Sequence, residues 1–220
     1  MNRYDLAIFD LDGTLLDTTE GVLSSVKYTI QKMGFEPLDD KALSTFIGPP
    51  IQDSFAKAYG LEGPILQEIA TVFRNRYSTM EYLIQATPYE GIYQLLEQLR
   101  QRGIQTAVAT YKREDYALTL LKHYHFDRYM DIMYGGDHEN KLKKKDIIEK
   151  CIVTAGIDDL SRVVMIGDTV SDVIGAKGIG VDFLGVTYGF GFTTAADVME
   201  HPSSVGSADR ALDLLPYFVK

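Results

Sequence analysis

Two aspartates stand two residues apart in Ile8-Phe9-Asp10-Leu11-Asp12-Gly13-Thr14, directly after an apolar run and directly before a glycine. Along an extended strand, residues i and i+2 lean the same way, so Asp10 and Asp12 converge on one spot beyond the strand end. Two like charges that close are costly unless a proton or a cation lies between them. A hard divalent ion that prefers oxygen ligands, such as Mg²⁺, is the natural occupant. Gly13 permits a sharp turn, and Thr14 adds a hydroxyl. Taken alone, the pair would read as an acidic turn after a strand. The rest of the chain decides against that.

A second acidic site follows the apolar run Val163-Val164-Met165-Ile166, in Gly167-Asp168-Thr169-Val170-Ser171-Asp172. Asp168 falls just beyond its strand, as Asp10 does beyond the first, and reads as a metal ligand. Asp172 lies on the first turn of an expected helix. It reads equally as metal support or as the acidic partner of Thr169 in a capping box. Between the two sites, Gln105 to Thr110 reads as a strand that ends in a hydroxyl, with a helix over 113–124. A threonine at such a junction can bind a phosphate oxygen together with nearby backbone N–H groups, or simply cap the helix. The fourth piece is Lys141-Leu142-Lys143-Lys144-Lys145-Asp146, ahead of a helix expected over 146–155. Clustered lysines at a helix N-terminus oppose its dipole. Most of them read as a solvated charge run. One placed against its helix is the kind of local conflict that marks a site.

In this order the four pieces resemble the motifs of the haloacid dehalogenase superfamily of phosphotransferases, and the resemblance spans nearly the whole chain. Asp10-Leu11-Asp12-Gly13-Thr14 stands for the first motif, Thr110 for the second, a lysine among 143–145 for the third and Gly167 to Asp172 for the fourth. The family often has Lys-Pro at the third, and this segment has no proline. Spacing to the following helix selects Lys144, with Lys143 and Lys145 still open. The resemblance implies a Mg²⁺-dependent phosphatase. Asp10 would be the nucleophile and Asp12 the general acid and base. The metal would be held by Asp10, Asp12 through its main-chain carbonyl, and Asp168, with Asp172 in support. Thr110 and Lys144 would hold the phosphoryl oxygens.

The elements that must position these residues follow from periodicity. Strands are expected over 6–9, 104–109, 130–134, 163–166 and 181–186, alternating after residue 87 with helices over 91–102, 113–124, 146–155 and 170–177, and a last helix over 208–218. Such alternation implies an α/β fold with a doubly wound parallel sheet. Residues 15–86 break it with helices over 19–33, 39–46, 51–59 and 64–84, the first opening on a capping box of Asp17 and Glu20. The domain reading is therefore a core of 1–14 and 87–220 with a helical insertion of 15–86. A lobe inserted there would stand over the carboxyl ends of the strands, where open α/β sheets bind ligands. In the resembled family it is a helical cap of the C1 type. Gly48-Pro49-Pro50 looks like the specificity loop of phosphoglycolate-phosphatase-like members, though it is also strong turn chemistry. Tyr188-Gly189-Phe190-Gly191-Phe192 reads either as a border of the cleft or as a surface loop.

Composition bounds the rest. A chain of 220 residues, 45% hydrophobic, suits one core with a modest second lobe. The formal charge of −9 makes a nucleic-acid partner a poor fit. The single cysteine, Cys151, excludes an intrachain disulfide and suits a reducing compartment. No apolar run approaches the roughly 20 residues that cross a bilayer, and no signal pattern opens the chain. The expectation is a cytoplasmic monomer or small homo-oligomer that acts on a small phosphorylated metabolite, without nucleic acid or membrane. Phosphoglycolate, nucleoside monophosphates and sugar phosphates all fit, as does a β-phosphoglucomutase-like transfer. A dehalogenase would not need Asp12 or the Asp168 pair. A phosphonatase would need a cap lysine, for which Lys27, Lys32, Lys41 and Lys57 have no supporting context. A phospho-aspartate signalling module shares an acidic site, a Thr and a Lys, but its acceptor lies mid-chain and it carries no helical insertion.

Overall fold

The computed structural model describes residues 2–139 and 141–219. The chain divides into two compact units, one of Met1–Leu16 with Pro88–Lys220 and one of Asp17–Thr87. In chain order the strands are β1 (Leu6–Phe9), β2 (Leu16–Asp17), β3 (Thr87–Pro88), β4 (Gln105–Arg113), β5 (Ile132–Gly136), β6 (Val163–Gly167), β7 (Asp182–Val186) and β8 (Ser204–Ala208). The helices are α1 (Thr19–Met33), α2 (Asp40–Ser44), α3 (Ile51–Tyr59), α4 (Ile65–Tyr77), α5 (Met80–Leu83), α6 (Ile92–Gln101), α7 (Glu114–His123), α8 (Lys144–Ala155), α9 (Val170–Ile179) and α10 (Ala195–Met199). Among the described residues no helix is long and apolar enough to cross a membrane.

The larger unit is built on a six-stranded sheet in the order β5-β4-β1-β6-β7-β8. Every neighbouring pair in it is parallel. This is the doubly wound α/β architecture. β1 and β6 are buried along their whole length, so they carry near-continuous apolar runs, as strands covered on both faces must. Leu6 and Ile8 pack with Met165 onto Ile147, Ile148 and Cys151 of α8 and Val173 of α9. Ala7 and Phe9 alternate to the opposite face. The chain winds outward from β1 through β4 to β5, then returns to β6 and winds the other way. The direction reverses between β1 and β6, which is where such sheets bind ligands.

The smaller unit is all-helical. Its centre is an aromatic cluster in which Phe55 meets Phe46 edge-on at 5.0 Å and Phe35 stacks on Tyr59 at 4.8 Å.

The structure departs from the sequence expectations at identifiable places. The helix expected over 64–84 is broken at Ser78 and Thr79. The Thr79 hydroxyl donates to the Arg76 carbonyl at 3.1 Å, and its backbone turns extended before α5. A short side chain that bonds locally to the backbone competes with the helix there. The N-cap of α1 is Thr18, without a side-chain cap bond; Asp17 instead accepts from the Thr19 N–H at 2.9 Å, and no box with Glu20 forms. β4 runs on to Arg113, past the expected end. α10 and β8 were not anticipated, and the last segment is a 3₁₀ helix of Ala211–Phe218 with Pro216 inside it.

Candidate active site

The parallel register fixes where the aspartates stand. Phe9 pairs with both Val108 of β4 and Ile166 of β6, so the residues that follow these strands emerge side by side at one sheet edge. Asp10 continues the ladder by donating its N–H to the Ile166 carbonyl at 2.9 Å. One ligand oxygen from each of Asp10, Asp168 and Asp172 lies within 4.8 Å of the others, and all three residues are buried. Lys144 reaches the same spot from the first turn of α8. Its Nζ lies 2.7 Å from Asp10 Oδ1 and 2.6 Å from Asp172 Oδ1, with only 2% of the side chain exposed. Lys143 and Lys145 flank it and are exposed. The lysine selected by spacing is thus the one that the fold brings to the aspartates.

Asp172 takes the capping role that its position allowed and also meets Lys144. One oxygen accepts from the Thr169 N–H at 3.1 Å and the Thr169 hydroxyl at 2.8 Å, which caps α9. The other faces Lys144. Thr110 is buried, but it does not stand at a strand-to-helix junction as expected. Pairing between β4 and β5 slips between Ala109 and Arg113, so Thr110, Tyr111 and Lys112 form a bulge before α7. The Thr110 hydroxyl accepts from the Lys112 N–H at 3.1 Å, and the Tyr111 hydroxyl accepts from the Lys144 N–H at 2.9 Å. Bulges re-aim side chains next to sites. Here one turns Lys112 inward, where its Nζ meets Asp12 Oδ1 at 3.1 Å with both side chains under a tenth exposed. Lys112 was missed from the sequence.

The 188–192 segment closes around Asp168. Phe190 and Gly191 donate backbone N–H groups to Asp168 Oδ2 at 2.7 and 3.3 Å. The Thr14 hydroxyl approaches Asp168 Oδ1 at 3.4 Å, and the Tyr188 hydroxyl donates to the Thr14 carbonyl at 3.0 Å. Gly13 turns the chain with φ +80°, and a Cβ on Gly189 would lie 2.3 Å from the Gly13 carbonyl oxygen and 2.5 Å from Asp168. Such overlap with backbone has no cheap relief. Gly189→Ala should therefore cost about 1–3 kcal/mol, read as a lower denaturation midpoint at unchanged m-value. An unchanged midpoint would show that the loop yields freely.

Charge at the site is unbalanced. Four carboxylates (Asp10, Asp12, Asp168, Asp172) face two ammonium groups (Lys112, Lys144). Burial pushes the Asp10 carboxyl up to about 7 against the pull of Lys144, with the Asp172 and Asp12 charges adding to the rise. Burial, then the charges of Asp172 and Asp10, push Asp168 up to about 8 despite the N–H donors of Phe190 and Gly191. Burial works against the Lys144 ammonium, but Asp10 and Asp172 outweigh it and hold the lysine charged. Asp10 Oδ1 and Asp172 Oδ1 face the ammonium at ion-pair distance without an aligned hydrogen bond. A buried, oxygen-only donor set with excess negative charge and free lone pairs fits a hard divalent cation.

Residues 7–186 match the model of the haloacid dehalogenase-like hydrolases. The chain belongs to that family. It is 35% identical to a 5′-nucleotidase of Pseudomonas aeruginosa over 190 residues, which cover 86% of this chain and 85% of the relative. It is 33% identical to a phosphoglycolate phosphatase of Agrobacterium fabrum over 196 residues, 84% of this chain and 81% of the relative. The crystal structure of a predicted phosphatase from Clostridium acetobutylicum superposes with a TM-score of 0.87 at 31% identity, covering 96% of each chain.

Gly48, Pro49 and Pro50 lie in the helical unit of this family member, just ahead of α3. Gly48 has φ +101° and is exposed with Pro49, so the segment is at least the turn that its composition implies.

Proposed function

We propose that this family member is a Mg²⁺-dependent phosphatase, one that hydrolyses a small phosphomonoester through an aspartyl-phosphate. The chain is an enzyme of the phosphoric monoester hydrolase class. The observation that carries the proposal is the buried meeting of Asp10, Asp168, Asp172 and Lys144 at the switch point of the sheet, with Asp12 two residues beyond Asp10 and paired to Lys112.

In this reading Asp10 attacks phosphorus, and its carboxylate oxygen forms the new P–O bond as the ester oxygen leaves. Asp12 gives its proton to that leaving oxygen. It then takes a proton from the water that breaks the acyl phosphate, which frees inorganic phosphate and restores Asp10. Thr110 and Lys144 hold the phosphoryl oxygens, and Lys112 holds the Asp12 carboxylate in place between the two half-reactions. Asp10, the Asp12 main-chain carbonyl and Asp168, with Asp172 in support, would hold Mg²⁺, which would supply neutralisation of phosphoryl charge. We assign the helical unit as a cap and Gly48-Pro49-Pro50 as the segment that reads the leaving group, because the aspartates and lysines engage only the phosphoryl end. The partner is a small phosphorylated metabolite, and the protein is read as cytoplasmic, a monomer or small homo-oligomer.

Phosphoglycolate is the first substrate to test, and a nucleoside 5′-monophosphate is the second, since the Pseudomonas aeruginosa relative carries that activity in its name. Phosphate release is measured over a panel of phosphoglycolate, nucleoside monophosphates and sugar phosphates, with and without Mg²⁺. Release should require Mg²⁺, and Mg²⁺ should raise the Tm of the wild-type protein but not of Asp168→Asn. Variants of Gly48-Pro49-Pro50 should reorder kcat/KM across the panel. No release from any member would defeat the hydrolase reading. Full release after exhaustive chelation would defeat the metal reading, and unchanged preferences in folded loop variants would defeat the cap assignment.

A further inference from the structure

The helical unit holds a second feature that the hydrolytic reading does not use. Arg76, in the last turn of α4, is clamped between two aromatic rings. Its guanidinium carbon lies 3.7 Å from the Tyr82 ring centroid and 4.6 Å from that of Tyr28. A guanidinium stacked on rings can still present its outer N–H groups to a planar acceptor. Among the described residues Arg76 has no ion pair, and its Nε is buried without a hydrogen-bond partner. The clamp opens onto a cavity of about 380 Å³ that Lys32 and Asn75 also line, with Glu81 as the single acidic residue.

The arrangement is unusual for this molecule. The chain carries a formal charge of −9, yet this cavity has two cations against one carboxylate, and Glu81 does not approach Arg76 within ion-pair distance. A positive charge in the last turn of a helix is favourable, which accounts for an arginine at this position. It does not account for stacking on two rings or for a guanidinium that lines a cavity with no ion-pair partner among the described residues. A planar oxyanion in the cavity would pair with the outer Nη groups of the guanidinium, whose geometry matches carboxylate and phosphate oxygens in two parallel hydrogen bonds. The rings fix the fork in advance, so little side-chain entropy remains to be lost on binding.

We propose that Arg76, held by Tyr28 and Tyr82 and assisted by Lys32, forms an anion site for a small metabolite bearing a phosphate or carboxylate group. This site takes no part in the hydrolytic chemistry. It uses none of the aspartates, and its test does not depend on them.

The test follows the Arg76 Nε–Hε cross-peak by NMR in the full chain, in buffer freed of metal by a chelating resin. Inorganic phosphate and malonate are titrated separately, with chloride at matched ionic strength as control. One or both anions should shift the cross-peak saturably where chloride does not, and the responding arm tells phosphate chemistry from carboxylate chemistry. Followed on the Tyr82 amide, Arg76→Gln should weaken binding about tenfold or more, as loss of a bidentate charge-assisted contact predicts. Lys32→Gln should weaken it by a smaller factor, and it serves as the deciding variant if circular dichroism shows that Arg76→Gln is unfolded. No saturable shift with either anion would overturn the proposal, as would a shift equal to that of chloride, or full binding by folded Arg76→Gln or, in its place, by Lys32→Gln. Arg76 would then be only a staple between α1, α4 and α5.

Discussion

Asp10→Asn removes turnover by about 10⁴-fold or more, the scale on which a covalent nucleophile is lost, while the protein stays folded. An amide nitrogen or oxygen cannot form the acyl phosphate, and Asn is a weaker ligand for a hard cation. The fold should tolerate the change for a reason visible at the site. Burial and two neighbouring carboxylates push the Asp10 carboxyl up, so removing its charge relieves repulsion even as it weakens the contact with Lys144. Lys144 keeps Asp172 as a partner at 2.6 Å. Thermal melts should place Asp10→Asn within about 1 kcal/mol of wild type. Phosphate release and single-turnover labelling with a phosphoryl donor then test the chemistry. A folded variant that keeps a substantial fraction of wild-type hydrolysis would remove Asp10 from the nucleophile's role.

The parts of this site that could be read from the sequence are those in which residue type and secondary structure fix position together. Asp10 and Asp168 each come at the end of a short apolar run of buried-strand type, and two such strands in a parallel sheet end at the same sheet edge. Lys144 could be preferred over its neighbours by its spacing to the following helix, and the fold supplies the physical reason: it shares the buried side of α8 with Ile147 and Ile148, one turn on, while the adjacent Lys143 and Lys145 point away and are exposed. Lys112 could not be read this way. Its inward aim depends on the slip in pairing between β4 and β5, and a slip is a property of two strands rather than of one. The hold on Asp168 was equally hidden, because Phe190 and Gly191 contribute backbone N–H groups that any residue carries. In the fold, β8 was missed because Ser204-Val205-Gly206-Ser207-Ala208 lacks the apolar run of an inner strand. It lies at the end of the sheet, where less burial is required of it. The break at Ser78 and Thr79 was missed because apolar periodicity runs through it, and a hydroxyl-to-carbonyl bond overrides that periodicity.

Lys144→Ala should damage both stability and rate, and the two effects can be pulled apart. The ammonium sits between two buried carboxylates with 2% exposure. Removing one partner of such a buried group leaves uncompensated charge and costs about 3–5 kcal/mol. The same lysine is placed to meet phosphoryl oxygens as negative charge builds on them, and loss of one such donor costs about 10²–10³ in kcat. A rate measured on a half-unfolded sample would confuse the two, so the comparison is made through a cycle with Asp172→Asn. In the double variant one of the two buried charges that Lys144 no longer balances, that of Asp172, is gone, and part of the lost stability should return. The rate should not return, because the phosphoryl oxygens still lack their cation. Lys143→Ala and Lys145→Ala, at exposed positions on either side, should melt and turn over close to wild type. Recovery of rate along with stability in the double variant would make Lys144 a purely structural counter-ion. A large kinetic defect in Lys145→Ala or Lys143→Ala, with Lys144→Ala near normal, would move the phosphate contact to that neighbour. The opposite pattern would tie the charge that holds the aspartates together in the resting protein to the charge that receives the phosphoryl group. The lysine would then pass from one anion to the next without leaving its place at the head of α8.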